Sequence, residues 1–398
     1  MDMQHPMKDI VIVSAVRTAI GDFGGALKDL SPCALGTLTA REAIARAGLE
    51  AAEIGQAFYG NVIHTEPRDM YLARVIAMEA GVLQEAPALT VNRLCGSGLQ
   101  AIVSGVQAIA MGDTEVVLAG GAESMSRAGY MLPAARWGAK MGDVQAIDMM
   151  TAALHDPFGH GHMGITAENV AERCGITREA QDAFAAESHR RAAAAIAAGH
   201  FRDQIVPVVQ QTRKGEVVFD TDEHVRLDAT VEGMAGLRPV FRKDGTVTAG
   251  NASGINDGAA SVILMTAEAA KRHGATPLAR VVSYGHAGVA PEVMGLGPVP
   301  AMRVALERAG LAPDALEVVE SNEAFAAQAC AVTAELELDP ARVNPNGGAV
   351  ALGHPIGASG AIITTKLVYE MQRTRATTGA ATMCIGGGQG IALILEAA

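Results

Sequence analysis

Short β-branched runs alternate with alanine-rich amphipathic stretches near both ends of this chain, and that alternation limits its fold more than any other feature. Asp9 to Ala15 reads as a strand, Leu35 to Ala47 as a helix, and Ala88 to Val91 as another strand. From Leu99 onward, Leu99, Ile102, Val103, Val106, Ile109 and Ala110 fall on one face of a helix, ahead of a strand at Glu115 to Ala119. This strand, helix, strand unit is expected to end at Gly120 and Gly121. The same order returns with a helix at about Ser359 to Met371, a strand at Ala380 to Cys384, the run Gly386 to Gly388 and a closing strand ending near Leu395. The pattern signals an α/β fold with two similar halves. Between them, from roughly Ser124 to Gly254, methionine, histidine, charge and irregular loops increase. One alanine-rich helix at about Arg178 to Ala198 stands out in what reads as an inserted subdomain.

The chain has 398 residues, 49% of them hydrophobic, enough for two or three cored domains at ~100 to 200 residues each. With 31 Lys plus Arg against 43 Asp plus Glu, its net charge of −12 repels a polyphosphate backbone, so no nucleic-acid partner is expected. Glycine is abundant, at 45 residues, and aromatics are scarce, at 4%, which favours sites built from backbone. The five cysteines, at 33, 95, 174, 330 and 384, form neither a disulfide framework nor a paired zinc pattern, and fit a reducing compartment. The start, MDMQHPMKDI, lacks an apolar signal core, and no run reaches the ~18 uninterrupted apolar residues of a membrane helix. A cytoplasmic protein without a membrane partner is the expectation.

Cys95 lies in NRLCGSGLQA, where a strand gives way to a helix. Unpaired amides at a helix N-terminus lower a thiol pKa, and the thiolate is the nucleophile, so a depressed Cys95 pKa is expected. Gly96 and Gly98 would leave room for a substrate carbonyl. The competing reading is a buried structural cysteine. His354 precedes Pro355 in a glycine-punctuated loop, NPNGGAVALGHPIGASGA, that again feeds a helix. It is placed to take a thiol proton and then to donate to an oxyanion, unless backbone carbonyls satisfy it. Cys384 offers a second thiol beside Gly386 to Gly388, whose amides are candidates for an oxyanion hole in which each donor is worth ~2.7 to 4 kcal/mol. A plain glycine turn is the alternative there. Asn322 and Glu323 in SNEAFAAQA look like a helix start with an Asn cap. His155, His160 and His162 in HDPFGHGHMG raise a metal-dependent hydrolase, although the spacing fits no strong zinc signature. Neither a P-loop nor a G-x-G-x-x-G fingerprint occurs, and GASGA lacks the last glycine of a serine-hydrolase elbow.

Together with VRTAIGDFGG, AGGAESMS, HMGITAENVA, TAGNASGINDGAA, LGHPIG and CIGGGQG, these segments follow one another in an order that resembles the thiolases over nearly the whole chain. More narrowly, the chain is similar to bacterial biosynthetic-type acetyl-CoA acetyltransferases and the β-ketothiolases that supply 3-ketoacyl-CoA for polyhydroxyalkanoate synthesis. The resemblance implies a thiolase-like fold, with two βαβαβαββ halves in a five-layered αβαβα body. Residues 1–123, completed by 255–276, would form one half, 277–398 the other, and 124–254 a loop domain over a coenzyme A tunnel. It also implies a homotetramer and a ping-pong, reversible Claisen condensation of acyl-CoA with acetyl-CoA to 3-ketoacyl-CoA plus CoA, with the thiolysis in reverse. No metal or cofactor is implied beyond the CoA substrates.

By the same resemblance Cys95 carries the acyl group, and His354 activates it and then shares an oxyanion hole with a water held by Asn322. The amides of Cys95 and Gly386 form a second hole, and Cys384 is the acid/base, its basicity depending on enolate stabilisation. Ser253 would bond the pantetheine arm, His162 and Met163 would line its tunnel, and Arg226 would lie near the nucleotide. Ala324 and Phe325 would pack beside the reactive end, with Leu154 and Met294 along the lining. Gly233 and Val240 depart from the family pattern near the adenine. A non-catalytic acyl-CoA-binding protein is the remaining rival, against which stands the presence of Cys95, Cys384, His354 and Asn322 together.

Overall fold

A strand buried along its whole length, Ile10–Thr18, is the seam of the molecule, which we describe from a computed structural model covering residues 9–213 and 215–398. Its side chains alternate between two cores with the two-residue period of a strand. Ile10 and Ile12 enter the central core, while Val11 and Val13 enter an outer one. Along most of its length it pairs antiparallel with Asn256–Thr266, but only Val11 and Ile12 pair with Ala279–Gly288 on the other side. Two sheets part at this short contact. One continues through Asn256–Thr266, Val116–Ser124 and Gln56–Gly60 to Ala88–Val91. The other runs from Ala279–Gly288 through Gln389–Ala397 and Thr378–Ile385 to Val318–Ser321.

Helices Ser97–Met111 and Ser359–Thr374 fill the space between the sheets. Leu99, Ile102 and Val106 share one core with Ile362 and Leu367 and with Val262, Leu264, Leu393 and Leu395 from both sheets. Helices Pro32–Arg46 and Leu72–Glu79 cover the outside of the first sheet through Leu35, Ile44 and Ile76. Helix Pro298–Ala309 and helix Ala326–Glu335 cover the second through Met302 and Val332. The outcome is five layers, αβαβα. The 18-residue window Leu94–Met111 is apolar enough to cross a membrane on length and composition, but most of it is buried here as an inner layer.

The expected end of a strand at Gly120 and Gly121 needs correction, because the strand runs through both to Ser124. A Cβ on Gly120 would collide with the Ala260 carbonyl, and one on Gly121 with the Gly357 carbonyl. Close backbone approach within the sheet and across the halves, not a turn, requires these glycines. Ser124 pairs with Asp257, so the excursion after this strand begins and ends at one place in the sheet, touching it in between where Ile205–Val206 pairs with Arg17 and Thr18. The excursion contains helices Met163–Cys174 and Arg178–Ala198. It is tied to the C-terminal sheet's side by Asn169 Nδ2 donating to the Glu292 carbonyl at 2.8 Å.

Candidate active site

The two inner helices bring the reactive residues together. A Cβ on Gly98 would stand 2.8 Å from the Ala361 nitrogen, and one on Gly360 would overlap the Leu99 backbone, so the first turns of the helices touch backbone to backbone. Cys95 precedes one of these turns and His354 the other. A Cβ on Gly96 would meet Ile385 Cδ1 at 2.5 Å. The space left by Gly96 and Gly98 is therefore taken by protein, and the expectation that it admits a substrate carbonyl is replaced by a packing role.

Before Cys95 the backbone makes a tight turn with Leu94 at φ 46, a conformation that costs a non-glycine residue energy and recurs at functional sites. Ser97 holds that turn, its Oγ accepting from Arg93 N at 2.8 Å and donating to Leu94 O at 2.6 Å. The Cys95 sulfur lies within hydrogen-bond reach of its own amide and that of Gly386, and both favour the thiolate. Burial outweighs them and pushes the thiol up to about 11, with the nearby Glu123 carboxyl adding to the rise. The expected depression of the Cys95 pKa is thus reversed, because desolvation exceeds what the two amides and the helix start return.

His354 is buried, and burial lowers its imidazole to about 4, which keeps the ring neutral at pH 7. Its Nδ1 lies 2.6 Å from Ser359 Oγ, which itself donates to the Pro355 carbonyl at 3.0 Å. With its proton committed to that carbonyl, the hydroxyl accepts Nδ1–H and leaves Nε2 as the basic nitrogen. Nε2 is buried and has no partner. The His354 amide donates to Asn256 Oδ1 at 2.9 Å, against which Gly353 at φ 105 is packed too closely for a side chain.

Cys384 is fully buried inside strand Thr378–Ile385, within electrostatic reach of Cys95, and burial raises its thiol further than that of Cys95. Gly387 and Gly388, at φ 83 and 84, make the turn that follows. Asn322 is not a helix cap. The helix starts at Ala326 with Phe325 in the capping position, and both amide atoms of Asn322 are buried without a partner. They offer a donor and an acceptor to a bound group or water.

A cavity of about 460 Å³ is lined by Cys95 and His354, together with Leu154, His162, Met163, Arg226, Ser253, Met294, Ala324 and Phe325. Cys384 stands behind this lining, packed in one apolar cluster with Met163, Met294, Ala324 and Phe325. Asn322 faces a smaller cavity shared with Ser359, and Gly386 a third. Val240 lines the first cavity, whereas Gly233 does not. His162 Nδ1 accepts from Gly164 N at 3.0 Å, and its ring stacks on Phe241 with centroids 4.7 Å apart. Burial lowers its pKa. His155 and His162 meet edge to face with ring centroids 5.2 Å apart, but among the described residues the three histidines do not form one metal-ligating group. His155 Nδ1 meets the Thr151 carbonyl at 2.8 Å, and His160 Nε2 lies 3.7 Å from Glu292. Among the described residues, Cys33, Glu66 and Asp69 do bring donor atoms within 4.8 Å of one another, but Asp69 Oδ2 already accepts from Thr65 N, Thr65 Oγ1 and Glu66 N.

The sequence reading passed over Glu123, in AGGAESMS. Fully buried, it accepts from Asn61 Nδ2 at 3.0 Å, Val62 N at 3.0 Å, Ile63 N at 3.1 Å and Gly357 N at 2.8 Å. It thereby ties the His354 loop of one half to two segments of the other, and burial holds its carboxyl up at about 8. A lone acidic residue at the end of an otherwise apolar strand was the available signal. Phe241 had none, since its stacking on His162 joins segments distant in sequence, whereas Ser359 lies only five residues after His354 in the same loop.

Comparison with known proteins agrees with this geometry. Residues 10–268 match the thiolase N-terminal domain and residues 275–397 the thiolase C-terminal domain. The chain is 64% identical to beta-ketothiolase BktB of Cupriavidus necator over 98% of its own length and 99% of that protein. It superposes on the crystal structure of the Bacillus anthracis acetyl-CoA acetyltransferase with a TM-score of 0.96 at 47% identity, covering 98% of this chain and 99% of that one. On human mitochondrial 3-ketoacyl-CoA thiolase in complex with CoA it scores 0.95 at 44% identity, covering 98% of both chains. The chain belongs to the thiolase family.

Proposed function

We propose that Cys95, His354, Cys384, Asn322 and Gly386 divide the work of a reversible Claisen condensation between them. The protein is an acyltransferase of the β-ketothiolase and acetyl-CoA acetyltransferase kind, joining acyl-CoA and acetyl-CoA to 3-ketoacyl-CoA and CoA, or cleaving the product. One observation carries the assignment of roles: Cys95 and His354, from opposite halves, line a single cavity, while the Gly386 amide reaches the Cys95 sulfur.

His354 Nε2 takes the Cys95 proton, and the sulfur attacks the thioester carbon. The amides of Cys95 and Gly386 hold the oxyanion until CoA leaves as a thiolate and takes the Cys384 proton, which leaves Cys384 as a thiolate and His354 protonated. A neutral imidazole with a free Nε2 suits that first step, and once protonated the same nitrogen donates to the enolate oxygen of the second acyl-CoA. Asn322 supplies a further donor through a water. The Cys384 thiolate takes the α-proton, the resulting carbanion attacks the acyl carbon on Cys95, and the C–S bond breaks to return the Cys95 thiolate, which regains its proton from His354. Burial makes the Cys384 thiolate more basic than an ordinary one, and stabilisation of the enolate by the donors makes that basicity sufficient. The donors are protein groups and one water, so the scheme calls for no metal or cofactor.

The long ligand supplies the positioning that a two-carbon acyl group lacks. Ser253, His162 and Met163 serve the pantetheine arm, Arg226 the phosphates, and Leu154, Met294, Ala324 and Phe325 the apolar lining. A homotetramer is supported by the edge strand Ala88–Val91, with Leu89 exposed, and by exposed Tyr130, Leu132, Trp137 and Met141 in one segment. A reducing, cytoplasmic setting is supported by five free cysteines. Brief incubation with acetyl-CoA tests the central step: one acetyl mass is expected on the peptide that holds Cys95, and label on any other residue overturns the scheme.

A further inference from the structure

Two periodicities meet at Asn322. Strand Val318–Ser321 carries Glu320, and its pairing continues one residue further, with Asn322 N donating to Thr382 O at 2.9 Å. The two-residue period of the strand sets Glu320 and Asn322 on one face. On helix Ser359–Thr374, Ser359, Ile362, Ile363 and Lys366 fall at i, i+3, i+4 and i+7, a single stripe. Strand face and helix stripe meet around a cavity of about 10 Å³, room for one water, in which every lining residue is buried. It shares no lining residue with the cavity of Cys95 and His354.

Lys366 and Glu320 form an ion pair in this wall, their side chains only 3% and 1% exposed. Lys366 Nζ donates to Glu320 Oε2 at 2.7 Å and to the Gly347 carbonyl at 2.7 Å. A buried pair recovers little more than the cost of drying both charges, so apolar residues of equal size would pack at least as stably. The hydrogen-bonding groups left over give the pair a use. An ammonium has three donors, and one of them on Lys366 has no protein acceptor among the described residues. Glu320 Oε1 and both amide atoms of Asn322 are likewise buried without a partner among the described residues. One water in the cavity would accept from Lys366 and donate to Glu320 Oε1 and Asn322 Oδ1, the three bonds usual for a buried water. Ser359 Oγ, also in the wall, is already committed to His354 Nδ1 and the Pro355 carbonyl.

We infer that Lys366 and Glu320 are positioning residues: through a water in this cavity they hold Asn322 Oδ1, and so turn the Asn322 NH₂ group toward the enolate side of the reaction. The inference rests on the acyl-Cys95 reading above and adds two residues to its second half. An amide free to flip would present an oxygen, an acceptor, where negative charge develops on the enolate and a donor is needed. The first half, acylation of Cys95, draws on the amides of Cys95 and Gly386 and makes no use of Asn322. Loss of the pair therefore acts on one half of the reaction and spares the other.

The test compares the unaltered full-length protein with Lys366→Met, alone and combined with Glu320→Leu. Acetylation of Cys95 by acetyl-CoA is followed by mass spectrometry on quenched samples, and condensation by steady-state rates. Lys366→Met breaks the pair and is expected to lower the melting temperature, whereas the combined variant, apolar on both sides, is expected to restore it. In both variants kcat for condensation falls by at least about tenfold with KM for acetyl-CoA within about twofold, while the rate of Cys95 acetylation stays within about threefold. The combined variant keeps the test open if Lys366→Met does not fold. Recovery of condensation together with the melting temperature would make the pair purely structural and overturn the inference. Equal slowing of acetylation and condensation, or no slowing of either, overturns it as well. Absence of the acetyl group from Cys95 in the unaltered protein would instead count against the acyl-Cys95 reading itself.

Discussion

Cys95 and Cys384 are both raised thiols near one cavity, yet the fold treats them differently. Cys95 sits in a strained corner outside any strand or helix, half-buried, with two amides aimed at its sulfur. Cys384 lies within a strand, fully sealed, with its own backbone amide as the one favourable hydrogen bond. The corner position places the sulfur on the cavity wall beside donors for an oxyanion, which suits the proposed nucleophile, one that would become a thioester. The strand position gives basicity and little else, which suits a group that only exchanges a proton. The thiol types are the same, and their surroundings assign the task.

Four experiments sharpen or break this contrast. Cys95→Ala has the largest expected effect: no acetyl label and a loss of turnover of at least about 10⁴-fold, the scale of removing a covalent nucleophile, read by mass spectrometry and a thiolysis assay. Cys384→Ser comes next, with acetylation of Cys95 retained and condensation slowed by about 10² to 10⁴-fold, the usual worth of a positioned acid/base. If that variant condenses at the normal rate, the division of labour between the cysteines is wrong.

Third, Glu123→Gln turns an NH₂ group toward amides that now donate to the oxygens of a carboxyl group. Loosening of the His354 loop is expected to lower kcat by up to about 10²-fold with a smaller change in KM, alongside a reduced melting temperature. A drop in melting temperature without a change in kcat would make Glu123 purely structural.

The smallest effect is in pH dependence. A Cys95 thiol held at about 11 is neutral throughout the physiological range, and its thiolate fraction grows tenfold per pH unit up to that value. Iodoacetamide alkylation of Cys95 is therefore expected to keep accelerating from pH 8 to 10. A plateau below pH 9 would show that the amides outweigh desolvation.

The inner helices were legible because each carries its apolar face in local order, whereas the helix Arg178–Ala198 and strand Ala88–Val91 were legible from composition, alanine-rich in one and β-branched in the other. The corner positions of Cys95 and His354 were legible for the same reason, since strand-to-helix junctions are written in short segments. What misled was burial. The Cys95 pKa, the role of Gly96 and Gly98 and the end of a strand at Gly120 all turned on atoms from segments distant in sequence, such as Ile385, Ala361, Ala260 and Gly357. Asn322 looked like a cap because a cap is the local use of asparagine, and its free amide is visible only once the neighbouring walls are in place.

Residue types and their spacing by themselves determined that this chain would build alternating strands and helices, and that two thiols, an imidazole and glycine-rich turns would sit at the ends of those elements. Local hydrogen bonding and side-chain periodicity fix such features without help from the rest of the chain. Tertiary structure alone decided that the imidazole would be neutral with Nε2 unpaired, that both thiols would be hard to ionise, and that a buried carboxyl group would lock one half to the other. Those properties depend on how much water is removed from each group, and only the packing of remote segments sets that.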